Sequence, residues 1–487
     1  MDENDDRQDL YDEFESEVVK HGNPEAFFDE NDLVEIFDYA SDLDNNIVKM
    51  EVLLYGAVHY PKSEALATRR AWFYSSLGDL EAASEVNRRV THTGVLNRLL
   101  DLRAGNRDQS RPLTEELAAI VDSTDDFDDE GIIQFVDFCM ESGEEEWLTA
   151  NKDLVQSKCS YPQTFIYEFA DRLEEGGNLE AAARLFEELT MLEPFTLDFW
   201  QRLATVQINM EDYEGALTSA DYALAIDPSS VLGARIKGAA LYRLERDMPT
   251  VAALYESVLK TPEAEDSDAS TLAAALVELD RQAEAVDLLK SYIESRYHPK
   301  LAIDVLLVLD IEAAKPFVKR SIKEAMLTES DVLDWAKDHI IHNQYTAAST
   351  IILIYHEMKG LLLGVEFAAE VCYYALRFTD IVDLYENHVY EEMKAEPVPG
   401  LTYPYIMSLV RLGMREKALA VTRDTFEKAE AYRAKFGNHE GNLSAAMRYS
   451  PATTHTLLTG YSATLHNILL ALQSTNPIPA DDFDPML

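Results

Sequence analysis

Residues 163–194 read QTFIYEFADRLEEGGNLEAAARLFEELTMLEP, and residues 195–228 read FTLDFWQRLATVQINMEDYEGALTSADYALAIDP. The following 34 residues end on a third proline, so Pro194, Pro228 and Pro262 fall at a constant interval of 34. Each span carries two runs of apolar residues at helical spacing, separated by a polar turn. Ala170, Ala204 and Gly238 recur one period apart in the first run, and Ala182 and Ala216 in the second. Small side chains there let two helices approach, and Phe169, Leu203, Phe186 and Leu241 fill the remaining space. Proline lacks an N–H, so each of the three ends one helix or opens the next. Gly176-Gly177-Asn178 offers a left-handed stop followed by a cap, and Ser229-Ser230 offers a cap after Pro228. The third span fits less well, because Lys237 and Thr250 stand where its neighbours carry apolar or small residues.

A two-helix unit of about 34 residues with large and small apolar residues at fixed places resembles the tetratricopeptide repeat. The resemblance covers most of Glu30 to Phe436. It is closest over 163–228 and clear again at 63–86, where Trp72 precedes Gly78-Asp79-Leu80, Ala82 and Ala83. It returns at 401–430, with Tyr405, Leu409, Leu412-Gly413-Met414, Ala418 and Ala420. The fold it implies is all-α, a right-handed superhelix of about ten to twelve helix pairs.

The organisation expected along the chain follows. Residues 1–28 form an acidic arm or capping helix, with Phe14 and Val18 at i, i+4. Repeats occupy 29–162, 163–299 and 300–436, capping helices 437–473, and an extended or disordered tail 474–487. Pro316 is expected to split the apolar stretch Leu301–Ala325 into two short helices. Glu144 to Val155 is read as one helix, and Ser444–Tyr449 and Thr454–Leu472 as the last two.

Composition narrows the function. The 487 residues include 89 acidic and 42 basic side chains, a formal net charge of −47. That balance argues against general nucleic-acid binding and against an anionic membrane surface, and it favours cationic or neutral partners. The three cysteines, Cys139, Cys159 and Cys372, are too few and scattered for a disulfide framework and read as buried free thiols. The acidic N-terminus is unlike a signal peptide, and no apolar run reaches about 18 residues. A cytoplasmic location is the expectation.

No phosphate loop, Gly-x-Ser-x-Gly elbow or Cys-x-x-Cys is present. His339 and His342 stand at i, i+3 on an expected helix beside Asp338, where two imidazoles could share a metal. No third ligand is indicated, so the plainer reading is two helix-surface residues and no metal or cofactor. The acidic runs Asp125-Asp126, Asp128-Asp129-Glu130 and Glu144-Glu145-Glu146 suit solvated loops and helix N-termini. Arg69, Arg70, Arg88, Arg89, Arg98, Arg103, Arg107 and Arg111 sit between two acidic stretches, and some are expected to pair with the N-terminal arm.

The resemblance also implies a binding surface, since first helices of such repeats line an inner groove that holds a peptide or a protein segment. Here that groove draws on Tyr167, Asp171, Gln201, Thr205, Arg235 and Tyr242. The chaperone-tail clamp of some family members needs cations at these places. Only Arg235 supplies one, and Asp171 would repel, so that activity is not expected. The reading is a non-enzymatic scaffold for a protein or peptide. Its alternatives are a self-associating repeat protein, signalled by the apolar helix Thr454–Leu472, and an enzyme with a pocket joining His339 and His342 to apolar walls.

Overall fold

The computed structural model describes residues 3–23, 26–90, 94–106, 110–360, 364–389, 394–437 and 451–474. It is all-α. Among the described residues strand pairing is confined to an isolated bridge between Phe127 and Cys159. Two compact units divide at Leu244/Glu245.

The first unit opens with α1 (Glu3–Phe14), which runs on to Lys20 as a wider π turn. Two helix pairs follow, α2 (Glu30–Asp42) with α3 (Asn46–His59) and α4 (Glu64–Ser76) with α5 (Leu80–Asn87), and then α6 (Val95–Arg103), which packs on α5, and α7 (Leu113–Ser123). Then α8 (Asp129–Glu141) meets two short helices, α9 (Glu145–Ala150) and α10 (Lys152–Gln156). The single helix expected over Glu144–Val155 is therefore broken at Asn151, whose Nδ2 donates to the Trp147 carbonyl at 2.8 Å. The most regular part comes last: α11 (Pro162–Glu175), α12 (Leu179–Leu192), α13 (Leu197–Asn209), α14 (Tyr213–Ile226) and α15 (Val231–Arg243).

The core of this unit is what the 34-residue pattern demands. Ala170, Ala182, Ala204, Ala216 and Ala220 are fully buried, and Phe165, Phe169, Phe186 and Leu189 fill the space around them. Burying such side chains contributes about 1.5–3 kcal/mol for each large one. Proline and caps act as expected: Pro162 occupies the first turn of α11, and Ser230 accepts from Gly233 N at 2.9 Å. Lys237, the misfit of the third span, reaches Asp221 of α14 at 2.6 Å.

At the N-terminus α1 packs against α2. Tyr11 and Phe14 of α1 are buried, with Phe14 packed edge-on against Phe28 and Tyr55. Asn45 donates to the Tyr11 hydroxyl at 2.8 Å. Two of the arginines expected to pair with the arm are engaged elsewhere: Arg69 grips Asp38 of α2 through two hydrogen bonds of 2.7 and 2.6 Å, and Arg103 reaches Glu141 of α8 at 2.9 Å. Where the repeat pattern loosens after Val90, the helices are joined by a buried polar pair. Asn97 Nδ2 donates to Asn87 Oδ1 at 2.7 Å, and Asn87 Nδ2 donates to the Asn97 carbonyl at 2.8 Å.

The second unit begins with α16 (Met248–Val258) and continues as α17 (Asp266–Glu278), α18 (Gln282–Glu294), α19 (Lys300–Leu309) and α20 (Ile311–Glu324). Next come α21 (Glu329–Ile341), α22 (Tyr345–Lys359), α23 (Val365–Tyr374) and α24 (Phe378–Asp383), extended as a π turn to His388. It ends with α25 (Pro399–Arg411), α26 (Arg415–Gly437) and α27 (Pro451–Gln473). Pro316 does not split 301–325. It lies inside α20, and the break falls at Asp310, which leaves helical geometry and caps α20 by accepting from Ala313 N at 3.0 Å. A capping carboxylate defines a helix start more sharply than a proline that forfeits one backbone bond.

The terminal helix α27 turns its apolar face inward. Leu458, Tyr461, Leu465, Ile468 and Leu472 are buried, four of them in one cluster with Ala418, Ala429 and Tyr405. Arg415 donates to the Leu472 and Ala471 carbonyls at 3.1 and 3.0 Å, satisfying the last acceptors of α27. The short helix expected at Ser444–Tyr449 and the tail from residue 475 lie outside the described residues. Cys139, Cys159 and Cys372 are buried free thiols, and burial pushes Cys159 and Cys372 up to about 12. No helix among the described residues is long and apolar enough to cross a membrane.

Candidate functional site

The residues expected to line a groove lie on three helices of the first unit. Tyr167 and Asp171 are on α11, Gln201 and Thr205 on α13, and Arg235 and Tyr242 on α15. All six are half-buried.

Arg202, on α13, joins that helix to α11 and α12. Its guanidinium lies 5.9 Å from the Tyr167 ring centroid and 5.3 Å from that of Phe186. It hydrogen-bonds Asp171, and its Nη2 stands 3.0 Å from Glu174 Oε2 as a charge contact without hydrogen-bond geometry. Burial pushes the Glu174 carboxyl above its ordinary range, and Arg202 offsets part of that rise. Tyr167 packs against Phe186 and Phe199 at centroid distances of 5.9 and 6.1 Å, and burial raises its phenol. Gln201 Nε2 donates to Ser230 Oγ at 2.7 Å, tying α13 to the cap of α15. Thr205 donates to the Gln201 carbonyl of its own helix at 2.8 Å.

Tyr167 and Asp171 are thus committed to Arg202 and its neighbours, and Gln201 links two helices. The sequence signal for Arg202 was present in outline. It lies one residue past Gln201, 31 positions beyond Asp171, close enough to one period to face it from the next first helix.

The second unit carries a cleft of about 360 Å³ between α19 and α21. Leu301, Val305, Val308 and Leu309 form its apolar wall, with Asp304, His339 and His342 among the polar lining. His339 is 4% exposed, and both ring nitrogens are engaged. Nε2 lies 3.0 Å from Asp304 Oδ1 and Nδ1 lies 2.6 Å from Gln344 Oε1. Burial acts to lower its pKa, but the hydrogen bonds to Asp304 and Gln344 and the charge of Asp304 outweigh that, and the net direction is upward. Asp304 Oδ1 also accepts from Trp335 Nε1. His342 Nδ1 faces the Asp338 carbonyl at 2.8 Å instead of its neighbour His339. The two imidazoles therefore do not converge on one point, and no group of three metal-ligating side chains forms among the described residues.

No family model matches the sequence. No curated protein matches it either. Solved structures do align with parts of the chain. YrrB, described as a TPR protein with an unusual peptide-binding site, covers 40% of this chain and 94% of its own, at 17% identity and a TM-score of 0.31. The C-terminal part of a TPR repeat-containing protein from Cytophaga hutchinsonii covers 61% and 98%, at 12% identity and a TM-score of 0.31. A tetratricopeptide repeat protein from Parabacteroides merdae covers 57% and 98%, at 12% identity and a TM-score of 0.32. The fold rests on the chain's own construction: helix–turn–helix units, alanines at the close approaches and caps at the turns make this an all-α repeat fold whose 34-residue spacing over 163–262 resembles the tetratricopeptide repeat.

Proposed function

We propose that the chain is a non-enzymatic scaffold that binds a protein or peptide along the first helices α11, α13 and α15 of its first unit. The observation that carries this reading is the row of half-buried side chains on those helices, with Arg202 and Gln201 fixing their mutual positions before any partner arrives. Preorganised side chains lose less freedom on binding, which is how repeat surfaces hold extended segments. The charge of −47 favours a cationic segment over a nucleic acid or an anionic membrane.

The self-association reading draws on an apolar terminal helix. Most of that apolar face of α27 packs inside the second unit, which leaves Leu457 and Leu470 exposed and weakens this reading. An acid–base role for His339 finds no support either, because both ring nitrogens are already engaged.

The test is capture of a partner by the intact chain in its native cell, followed by the affinity of that purified partner for a double variant. Thr205→Lys and Tyr242→Ala together should abolish binding with thermal unfolding unchanged. A variant that keeps full affinity would place the partner elsewhere.

A further inference from the structure

We infer that the α19–α21 cleft is a receptor for one lysine side chain of a basic peptide partner. The wall comes from a single helix face: Leu301, Val305 and Val308 follow one another at i, i+4 and i+7 on α19. Leu301 is 45% exposed and Val308 52%, so the strip is an open aliphatic surface. Asp304 stands within this strip. Its Oδ1 is already taken by Trp335 and His339, and among the described residues its Oδ2 accepts no hydrogen bond. The side chain is 22% exposed, and it lines the cleft. An aliphatic trough with one unfilled carboxylate oxygen matches a long apolar stem that ends in a cation.

The geometry separates lysine from arginine. A guanidinium seeks both oxygens of a carboxylate, and Oδ1 is occupied. An ammonium is a point charge served by one oxygen. His339 keeps Oδ1 and is not displaced. Lys300 at the rim is engaged by Asp338 at 2.8 Å, so its charge is answered locally. The chain's charge of −47 adds a long-range attraction for a basic partner.

This rests on the peptide-binding reading, since the cation is a partner's side chain, but it concerns a different surface. Its test can fail while the first-unit groove stands. The probe is n-butylammonium, a lysine side chain without its backbone, titrated into the full chain with labelled leucine and valine methyls and followed by NMR. The neutral 1-butanol and the anion butyrate are the controls. The methyls of Leu301, Val305 and Val308 should shift saturably with n-butylammonium, at least about tenfold more tightly than with 1-butanol, and not with butyrate. Asp304→Asn should lower the affinity about tenfold. Because that change also touches His339, Val308→Trp provides a second route. It fills the mouth from an exposed position and should abolish the shifts with the melting temperature unchanged. Equal response to 1-butanol, a preference for butyrate, an unaffected Val308→Trp variant, or no shift at all would overturn the proposal.

Discussion

Leu376 sits at the turn after α23 with φ of 58° and is 72% exposed. The same inner turn recurs with Gly78, Gly143, Gly177 and Gly413, all left-handed, and with Glu211, Asp280 and Asn343, which adopt the same conformation with a side chain. An L-residue there costs roughly 1–2 kcal/mol, and glycine costs almost nothing. Leu376→Gly should therefore stabilise the second unit by about 1 kcal/mol in urea denaturation. A loss of stability would mean that Leu376 makes contacts its exposure does not suggest. The same comparison explains what the sequence concealed. Gly177-Asn178 announces its turn, whereas Glu211 and Leu376 take the same backbone shape under residues that carry no turn signal.

At the same scale, His339 links stability to pH. Its folded-state pKa lies above the ordinary value of 6.5 because of Asp304 and Gln344. The stabilisation it provides is complete below that ordinary value and is lost as pH rises through the raised one. The stability difference between the wild type and His339→Gln should shrink as pH climbs through neutrality. A difference that widens over that range would contradict the assignment.

Elements show why some boundaries were readable and others were not. The helices of 163–228 follow directly from periodicity, because alanines at close approaches and large residues beside them leave one packing solution. The stretch 301–325 was misread because Pro316 is a conspicuous breaker, while Asp310 acts through a cap that only its hydrogen bond reveals. The asparagine pair at 87 and 97 hid the register after Val90, since a buried polar contact has no apolar signature. The two terminal helices were recognised, but which way each faced was not. Phe14 of α1 is fully buried, so Phe14→Ala should cost about 3–5 kcal/mol in the first unit. An arm lying loosely on the surface would show almost no change. Leu465→Ala in α27 should cost about 2–5 kcal/mol and leave the molecular mass in solution unaltered. A change of mass with stability retained would return α27 to the role of an oligomer contact.

For the whole molecule, the charge is the property that reaches beyond any one helix. At −47 it speeds encounter with a cationic partner and is screened by salt. The class of protein was legible in the spacing of three prolines and five small residues. The candidate sites are legible only in part, since Gln201 and Thr205 can be placed by register, while Arg202 and the Asp304 cleft depend on which side chains meet across helices.

The direct test of the scaffold is site-specific photo-crosslinking in the native cell, with p-benzoylphenylalanine placed singly at Thr205, at Tyr242 and, on the second helix α14, at Tyr222. The groove reading predicts one common adduct from Thr205 and Tyr242 and none from Tyr222. The same adduct from Tyr222 alone, with neither groove position labelled, would contradict it.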